Sequence, residues 1–94
     1  MREARVESYF RREVIKAGGE ARKLVTPGRR HAADRIVFWP GSVIDLVELK
    51  KPRAKPRRGQ ARDHERLERK YGIRVRVIDT HEDVDNYIRE RRTD

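Results

Sequence analysis

The 94-residue sequence predicts an α/β fold, in which a small mixed sheet is flanked by helices in the order α-β-β-β-α-β-α. Two observations predict it. Stretches with apolar residues at helical spacing alternate with short runs rich in β-branched and aromatic residues, and Gly-Gly, Pro-Gly and Pro-rich stretches separate them. A chain of this length has room for one modest core, so we expect residues 1–94 to form a single domain.

The first half of the chain predicts one helix and three strands. Apolar residues at helical spacing, followed by Gly18-Gly19, predict a helix over residues 2–17. Residues 20–26 alternate as in a strand, and residues 27–33 predict a loop that begins with Pro-Gly. Residues 34–39 and 43–50 are rich in strand-forming residues, and Pro-Gly-Ser between them predicts a hairpin.

The second half predicts a loop, a helix, a strand and a last helix. Residues 51–59 contain two prolines and five basic residues, which predicts an exposed loop. Residues 60–70 predict a helix, and the alternation over residues 73–79 predicts a strand that is covered on one face. Thr80, with Asp83 three residues later, predicts the N-cap of a helix that extends to about Arg91.

Composition and charge narrow the classes of function. The net charge is +9, and residues 51–70 carry nine Lys or Arg against three acids, which favours a polyanionic partner such as nucleic acid over a domain that is merely basic. There is no cysteine, which fits an intracellular setting and excludes disulfides. The sequence shows no membrane-spanning segment and no signal-peptide pattern, so we expect a cytoplasmic protein.

Two acids and a lysine are the first candidates for chemistry. On the predicted strand 43–50, Glu48 and Lys50 share a face, while Asp45, Val47 and Leu49 share the other. Alone, such a pair is typical of a surface salt bridge. Asp34 opens the neighbouring strand, so the hairpin brings it close to one end of the Glu48 strand; alone, it could equally cap the turn. Two converging carboxylates would suit Mg²⁺.

Further candidates lie on the two predicted helices that flank these strands. Glu7 shares a helical stripe with Phe10 and Val14, which predicts a position at the border of the core; the alternative is an ion pair with a neighbouring Arg such as Arg11. Gln60 near the start of the second helix could hold a phosphate or a water, or be an ordinary surface residue. The remaining candidates are histidines: His31 near substrate, His64 facing the site or solvent, and His81 in a structural role.

Six blocks of the sequence, taken in order and with their spacing, resemble the VRR-Nuc (virus-type replication-repair nuclease) family, a branch of the PD-(D/E)xK nucleases. The blocks are VESYF, GGEARKLVTPGRR, ADRIVFWPG, VELKKP, GQARDHERL and YGIRVRVID, and the similarity runs from about Val6 to Asp85, nearly the whole chain. The resemblance implies a restriction-endonuclease-like αβββαβ core with an extra C-terminal helix, in the stand-alone form associated with phages and bacteria. One departure is visible, because His31-Ala32-Ala33 replaces the usual Gly-Val-Pro before the aspartate.

The resemblance also implies a metal-dependent DNA endonuclease and assigns its site. Asp34, Glu48 and the backbone carbonyl of Leu49 would hold Mg²⁺ or Mn²⁺, and Glu7 would complete the acidic cluster directly or through water. Lys50 would orient the attacking water, and Gln60 corresponds to the helix glutamine of the family. The residues expected to contact the DNA backbone are Arg29, Arg30, Lys51, Arg53, Lys55, Arg57 and Arg58.

Family resemblance further implies a homodimer that acts on branched DNA such as four-way (Holliday) junctions, in the cytoplasm of a bacterium or a phage-infected host cell. The dimer interface is expected at the first helix, with Tyr9 and Phe10, or at the strand over residues 73–78. Two rival interpretations need no catalysis: a basic nucleic-acid-binding module, and an interaction protein whose acidic C-terminal helix docks a basic partner. Three acids at a DNA surface would weaken binding unless a cation neutralised them, which favours the enzyme.

Overall fold

The structure, a computed structural model, describes residues 3–28, 33–50 and 58–92, with the side chains of residues 3, 4, 58 and 60 outside that description. The predicted order of elements is confirmed. The elements are α1 (Glu3–Lys16), β1 (Glu20–Lys23), β2 (Arg35–Trp39), β3 (Val43–Leu49), α2 (Arg58–Tyr71), β4 (Val75–Ile78) and α3 (His81–Arg92).

The four strands form one mixed sheet in the order β1-β2-β3-β4. Strands β1, β2 and β3 pair antiparallel, whereas β4 pairs with β3 in parallel. A parallel pair requires a crossover connection, and α2 lies in that connection. Strands β1 and β4 are therefore the two edges, and β3 lies in the interior of the sheet.

Helix α1 supplies one side of the core. Val6, Phe10 and Val14 recur at helical spacing and are fully buried. The helix ends in a Schellman motif: Gly18, with φ 94°, donates its N–H to the carbonyl of Ile15 at 3.0 Å, and Gly19 donates to that of Val14 at 2.9 Å. The predicted stop at Gly18-Gly19 is thus confirmed, and it turns the chain directly into β1.

Helix α3 is tied to the sheet by a buried polar network around Asp45 of β3. The Trp39 indole N–H donates to the Asp45 carboxylate at 3.1 Å and to the Tyr87 hydroxyl at 3.0 Å, and Tyr87 also donates to Asp45. Arg91 contributes two bonds, 2.7 and 2.6 Å long. Burial by itself would raise the pKa of Asp45, but the bonds from Arg91 and Tyr87 outweigh it and lower that pKa.

The start of α3 matches the predicted cap in part. Thr80 accepts a hydrogen bond at its Oγ1 from the Asp83 N–H at 3.0 Å, as an N-cap does. The Asp83 carboxylate accepts from the N–H of Asp79 at 3.1 Å, one residue before the position that a full capping box would use. The bond between Asp83 and Asp79 therefore holds the residue after β4 as well as the start of the helix.

Four details differ from the sequence predictions, the first being that α2 begins at Arg58, inside the loop predicted over residues 51–59. Strand β1 ends at Lys23 instead of residue 26; Leu24 still donates its N–H to the Asp34 carbonyl at 3.0 Å, and the chain then enters the Pro-Gly turn. The alternation predicted that Ile73, Val75 and Val77 would form the covered face of β4. In the structure Ile73 lies before the strand and Val77 is 41% exposed, whereas Ile78, from the other face, is the most buried residue of the strand. Phe10 is fully buried in the protein's own core, which removes it from the predicted dimer interface. In residues 3–28, 33–50 and 58–92, none of the helices combines the length and the apolar composition that a membrane span requires.

Candidate active site

The hairpin of β2 and β3 places the beginning of one strand beside the end of the other. Asp34 immediately precedes β2, and its N–H donates to the carbonyl of Val47 at 3.1 Å. The N–H of Leu49 in turn donates to Oδ1 of Asp34 at 3.1 Å. The predicted approach of Asp34 to the Glu48 strand is confirmed, and the Leu49 peptide lies directly against the Asp34 carboxylate.

Glu48 and Lys50 form a buried ion pair. The Nζ of Lys50 lies 3.2 Å from Oε2 of Glu48, and the two side chains are only 10% and 4% exposed, with Lys50 the more exposed. An exposed ion pair costs little free energy to form, whereas removing two charges from water costs several kcal/mol. A buried pair at a strand end therefore needs a reason beyond surface charge pairing. Burial therefore excludes the surface salt bridge that the Glu-x-Lys pattern alone would suggest.

His64 of α2 closes the other side of Glu48. Its Nε2 lies 3.4 Å from Oε1 of Glu48, and the His64 side chain is mostly buried. That nitrogen makes no hydrogen bond with any described residue. Of the two positions that the sequence left open for His64, the structure shows the one facing the site.

Glu7 lies at the border of the core, as its helical stripe predicts, and pairs with Arg35 of β2. The Arg35 side chain is 9% exposed and that of Glu7 30%. Arg35 also donates through Nη1 to the backbone carbonyl of Asp34 at 2.8 Å and lies 3.5 Å from Oδ1 of the same residue. One guanidinium thus links Glu7 to Asp34, and the alternative pairing of Glu7 with Arg11 is not formed among the described residues.

Arg35 is a site residue that sequence reasoning missed. The signal was present, because Arg35 shares its strand parity with Val37 and Trp39, which both face the core. A charged residue at an inward position of a buried strand needs a partner, and the partner here is supplied by α1. Only the packing of α1 on the sheet identifies that partner.

The donor set fits a divalent cation that prefers oxygen ligands. Asp34 and Glu48 bring two carboxylates to one end of the hairpin, and the Leu49 peptide follows Glu48 directly and contacts Asp34. Over residues 3–28, 33–50 and 58–92, no three His, Cys, Asp or Glu side chains converge closely enough to hold a metal ion by themselves. Glu7, held by Arg35, is accordingly not placed as a third direct ligand.

Several predicted site residues lie outside this description. Gln60 is in the first turn of α2, and Arg58 begins that helix, but their side chains are not among those described. The other predicted DNA contacts lie outside the described residues altogether: Arg29, Arg30, Lys51, Arg53, Lys55 and Arg57. The roles of all these residues stay predictions, as does the effect of His31-Ala32 in the loop before Asp34.

Comparison with known proteins gives two similarities. A solved structure described as a VRR_NUC domain superposes with a TM-score of 0.82 at 40% sequence identity, over 93% of this chain and 94% of that chain. A protein named "Putative nuclease p44", from Acyrthosiphon pisum secondary endosymbiont phage 1, is 46% identical over 67 residues, which are 71% of this chain and 72% of that protein. No family model matches the chain.

Proposed function

The chain belongs to the VRR-Nuc family of nucleases, and from this premise we propose that it is a metal-dependent DNA endonuclease that hydrolyses phosphodiester bonds. The observation that carries the proposal is the buried pair of Glu48 and Lys50 beside Asp34. A structural role alone gives no reason to bury an acid and a base at the end of a strand, where both could reach solvent. A site for a cation and an anionic substrate does give one.

In this proposal Asp34, Glu48 and the Leu49 carbonyl would hold Mg²⁺ or Mn²⁺, and Glu7 would act through water and through Arg35. When bound, the ion would polarise a phosphate oxygen and lower the pKa of a water molecule. The protein supplies the rest: the Leu49 N–H and Arg35 keep the Asp34 carboxylate in place, and His64 packs against Glu48.

Lys50 is suited to act on the substrate. Its ammonium lies beside Glu48, so it would stand next to any phosphate that this carboxylate's metal ion engages. There it would orient a water and stabilise the negative charge that develops on the phosphate oxygens. A compact point charge fits this task better than a planar guanidinium, which favours two fixed oxygen partners. Gln60 would help to position the substrate from the start of α2.

The electrostatics favour the nuclease over a basic module that only binds nucleic acid. The chain carries a net charge of +9, yet it places Glu7, Asp34 and Glu48 around one end of the β2–β3 hairpin. Acids at a DNA-binding surface repel phosphates unless a cation intervenes. A module selected only for binding would gain affinity by replacing them.

We extend the proposal to branched DNA, such as a four-way junction, as substrate and to a homodimer as the active form, both of which the family resemblance implies. Of the two expected interfaces, the β4 side has the better support. Strand β4 is an open edge of the sheet; Val77 within it is 41% exposed, and Ile73 just before it is 42% exposed. Light scattering coupled to gel filtration tests the dimer.

The expected location, a bacterial or phage-infected cell, agrees with the phage source of one relative.

The decisive experiment compares cutting with binding. Linear duplex, supercoiled and four-way-junction DNA are incubated with the protein in Mg²⁺, in Mn²⁺ and with chelator. We expect metal-dependent cutting, fastest on the junction, that disappears in Glu48→Gln and Lys50→Ala while DNA binding persists. Glu82→Gln and Lys16→Ala are matched controls, because they make similar charge changes at exposed helix positions and should cut normally.

Each other outcome has a definite meaning. Cutting that survives both site substitutions would overturn the site assignment. Binding without cutting in either metal would favour the basic binding module. Equal rates on linear duplex and junction would leave the nuclease and remove the preference for branched DNA.

A further inference from the structure

A cavity of about 240 Å³ lies between α1 and the edge strand β1. Its lining comprises four basic residues, one acid and one small apolar residue: Arg11, Arg22, Lys23, Arg35, Glu7 and Ala21. The guanidinium of Arg22 lies over the Phe38 ring, so the basic side chains of the cavity are those of Arg11, Lys23 and Arg35. We propose that this cavity binds a phosphate of the DNA backbone next to the one that is cut. The inference rests on the proposed nuclease function and adds a binding site to it, because neither Arg11 nor Lys23 is among the DNA contacts that the sequence predicts.

The acidic side chains near the cavity do not neutralise all of its positive charge. Arg35 pairs with Glu7, and Arg22 pairs with Glu20 at 2.6 Å. Arg11 and Lys23 form no ion pair with any residue in the described ranges 3–28, 33–50 and 58–92. Two cations therefore remain to attract an anion into the cavity, where nearby low-dielectric protein strengthens the attraction relative to an open surface.

The cavity adjoins the candidate metal site. Lys23 is the register partner of Arg35 across the antiparallel pair of β1 and β2, which places their Cα atoms about 5 Å apart. The next residue, Leu24, donates its N–H to the carbonyl of Asp34 at 3.0 Å. Arg35 itself reaches Asp34 Oδ1 at 3.5 Å. A phosphate held in the cavity would thus be a close neighbour of the group bound at Asp34.

The lining selects for a phosphate rather than for a base. Ala21 is its one apolar residue, so it offers no aromatic surface on which a base could stack. Arginine and lysine are the usual partners of phosphate oxygens in protein–DNA contacts, and such contacts fix the position of the strand without reading its sequence. The expected role is therefore to set the register of the DNA strand relative to Asp34 and Glu48.

The test measures DNA affinity in the Glu48→Gln background, so that cutting does not interfere. Arg11→Ala, Lys23→Ala and the double substitution are compared with Arg12→Ala. Arg12 is the matched control, because it is exposed on the same helix, lies over the Tyr9 ring and does not line the cavity. Binding to duplex and junction DNA is followed by fluorescence anisotropy over a range of salt concentrations, and thermal melting confirms that each variant is folded.

We expect Arg11→Ala and Lys23→Ala each to weaken binding roughly tenfold at low salt and to flatten the slope of log affinity against log salt by about 0.9. The double substitution should flatten it by about 1.8, whereas Arg12→Ala should leave the slope nearly unchanged. In a parallel NMR titration with inorganic phosphate, the amide signals of Arg11 and Lys23 should shift and those of Arg12 should not.

Three results would overturn the proposal, and they differ in what they imply. If Arg11→Ala and Lys23→Ala change the slope no more than Arg12→Ala does, while the wild-type protein cuts DNA, the cavity does not bind phosphate and the nuclease function stands. If the wild-type protein neither binds nor cuts DNA, the proposed function fails and the cavity proposal fails with it. Shifts with inorganic phosphate, without any effect of the substitutions on DNA binding, would also count against a DNA contact.

Discussion

Glu7 on α1 and Arg35 on β2 form an ion pair across 28 positions of sequence, and the same guanidinium holds the backbone carbonyl of Asp34. Arg35 thereby connects the first helix to the start of the strand that positions the candidate metal ligand. Because Arg35 is buried, removal of its guanidinium would leave Glu7 without this partner and would take away one of the two donors to the Asp34 carbonyl, the other being the Leu24 N–H. The consequences concern both the stability of the fold and the binding of a metal ion.

Arg35→Met should destabilise the protein by about 3 kcal/mol, the lower end of the range for breaking a buried ion pair, since Glu7 keeps some contact with solvent. Urea unfolding measures the change. Arg12→Met, at an exposed position of α1, is the control and should be close to neutral. Adding Glu7→Gln to Arg35→Met should restore part of the loss, because it removes the unpaired charge. Equal stability of Arg35→Met and the wild-type protein would show that the pair contributes nothing.

Glu7→Gln should weaken Mn²⁺ binding about tenfold, as expected of a residue that acts through another group. Asp34→Asn, which alters a proposed direct ligand, should abolish measurable binding. Isothermal titration with Mn²⁺ compares the two variants without requiring activity. Should Glu7→Gln abolish binding as completely as Asp34→Asn, Glu7 would be a direct ligand and Arg35 would have to release it.

His64→Ala should weaken Mn²⁺ binding and cutting about tenfold, because the imidazole packs its Nε2 against Oε1 of Glu48 and restrains that carboxylate. His64→Gln keeps a polar nitrogen at nearly the same distance from the helix and should recover most of both losses. The comparison separates two roles of His64. Gln can still orient the Glu48 carboxylate, whereas both substitutions disturb the filling of space. If Ala and Gln behave alike in titration and in cutting, His64 does not position Glu48.

Neutralising Arg57, in the loop predicted from the sequence, and Arg58, at the start of α2, should weaken DNA binding. It should also flatten the slope of log affinity against log salt by about 0.9 per residue, because each substitution would remove one phosphate contact. The double variant with Arg89→Ala and Arg92→Ala is the control, because both residues are exposed on α3, which carries none of the predicted DNA contacts. Anisotropy at several salt concentrations provides the slope. A slope identical to that of the wild-type protein would mean that this loop does not contact phosphates.

Asp45→Asn should lower the free energy of unfolding by about 3 kcal/mol at neutral pH. It removes the negative charge to which Arg91 and Tyr87 donate hydrogen bonds within a buried network. The pKa of Asp45 is lowered in the folded protein from its ordinary value of 3.8, so the stability that the carboxylate contributes is present above that value. It is lost as the pH falls through the folded pKa. Urea unfolding from neutral pH to about pH 3 should show the stability curves of the wild-type protein and the Asp45→Asn variant converging in acid. A difference that does not change with pH would exclude this linkage.

The elements themselves were predictable from sequence because their signals are local. Val6, Phe10 and Val14 repeat at the helical period, and Gly18-Gly19 forms the expected helix end. The approach of Asp34 to Glu48 was predictable for a related reason: a short hairpin joins neighbouring segments, and antiparallel register then determines which residues meet. These inferences required no knowledge of how the helices pack.

Other features depend on contacts between segments that are distant in the chain. Arg35 contacts Glu7 because α1 packs on the sheet, and His64 faces Glu48 because α2 packs against β4, the strand next to β3. The 41% exposure of Val77 likewise depends on how far neighbouring elements cover β4. Periodicity identifies an apolar face but cannot say how much of it a neighbouring element covers.

The sequence by itself determined the order of the elements, the family and the hairpin that joins Asp34 to the Glu48 strand, because these depend on local periodicity, turn residues and the spacing of motifs. Tertiary structure alone decided that Glu48 and Lys50 are a buried pair, that Arg35 bridges Glu7 and Asp34, and that Arg11 and Lys23 share a basic cavity. The physical reason is that burial and charge pairing are properties of packed surfaces. A residue's environment in those surfaces comes from helices and strands far away in sequence, and only the assembled fold brings them together.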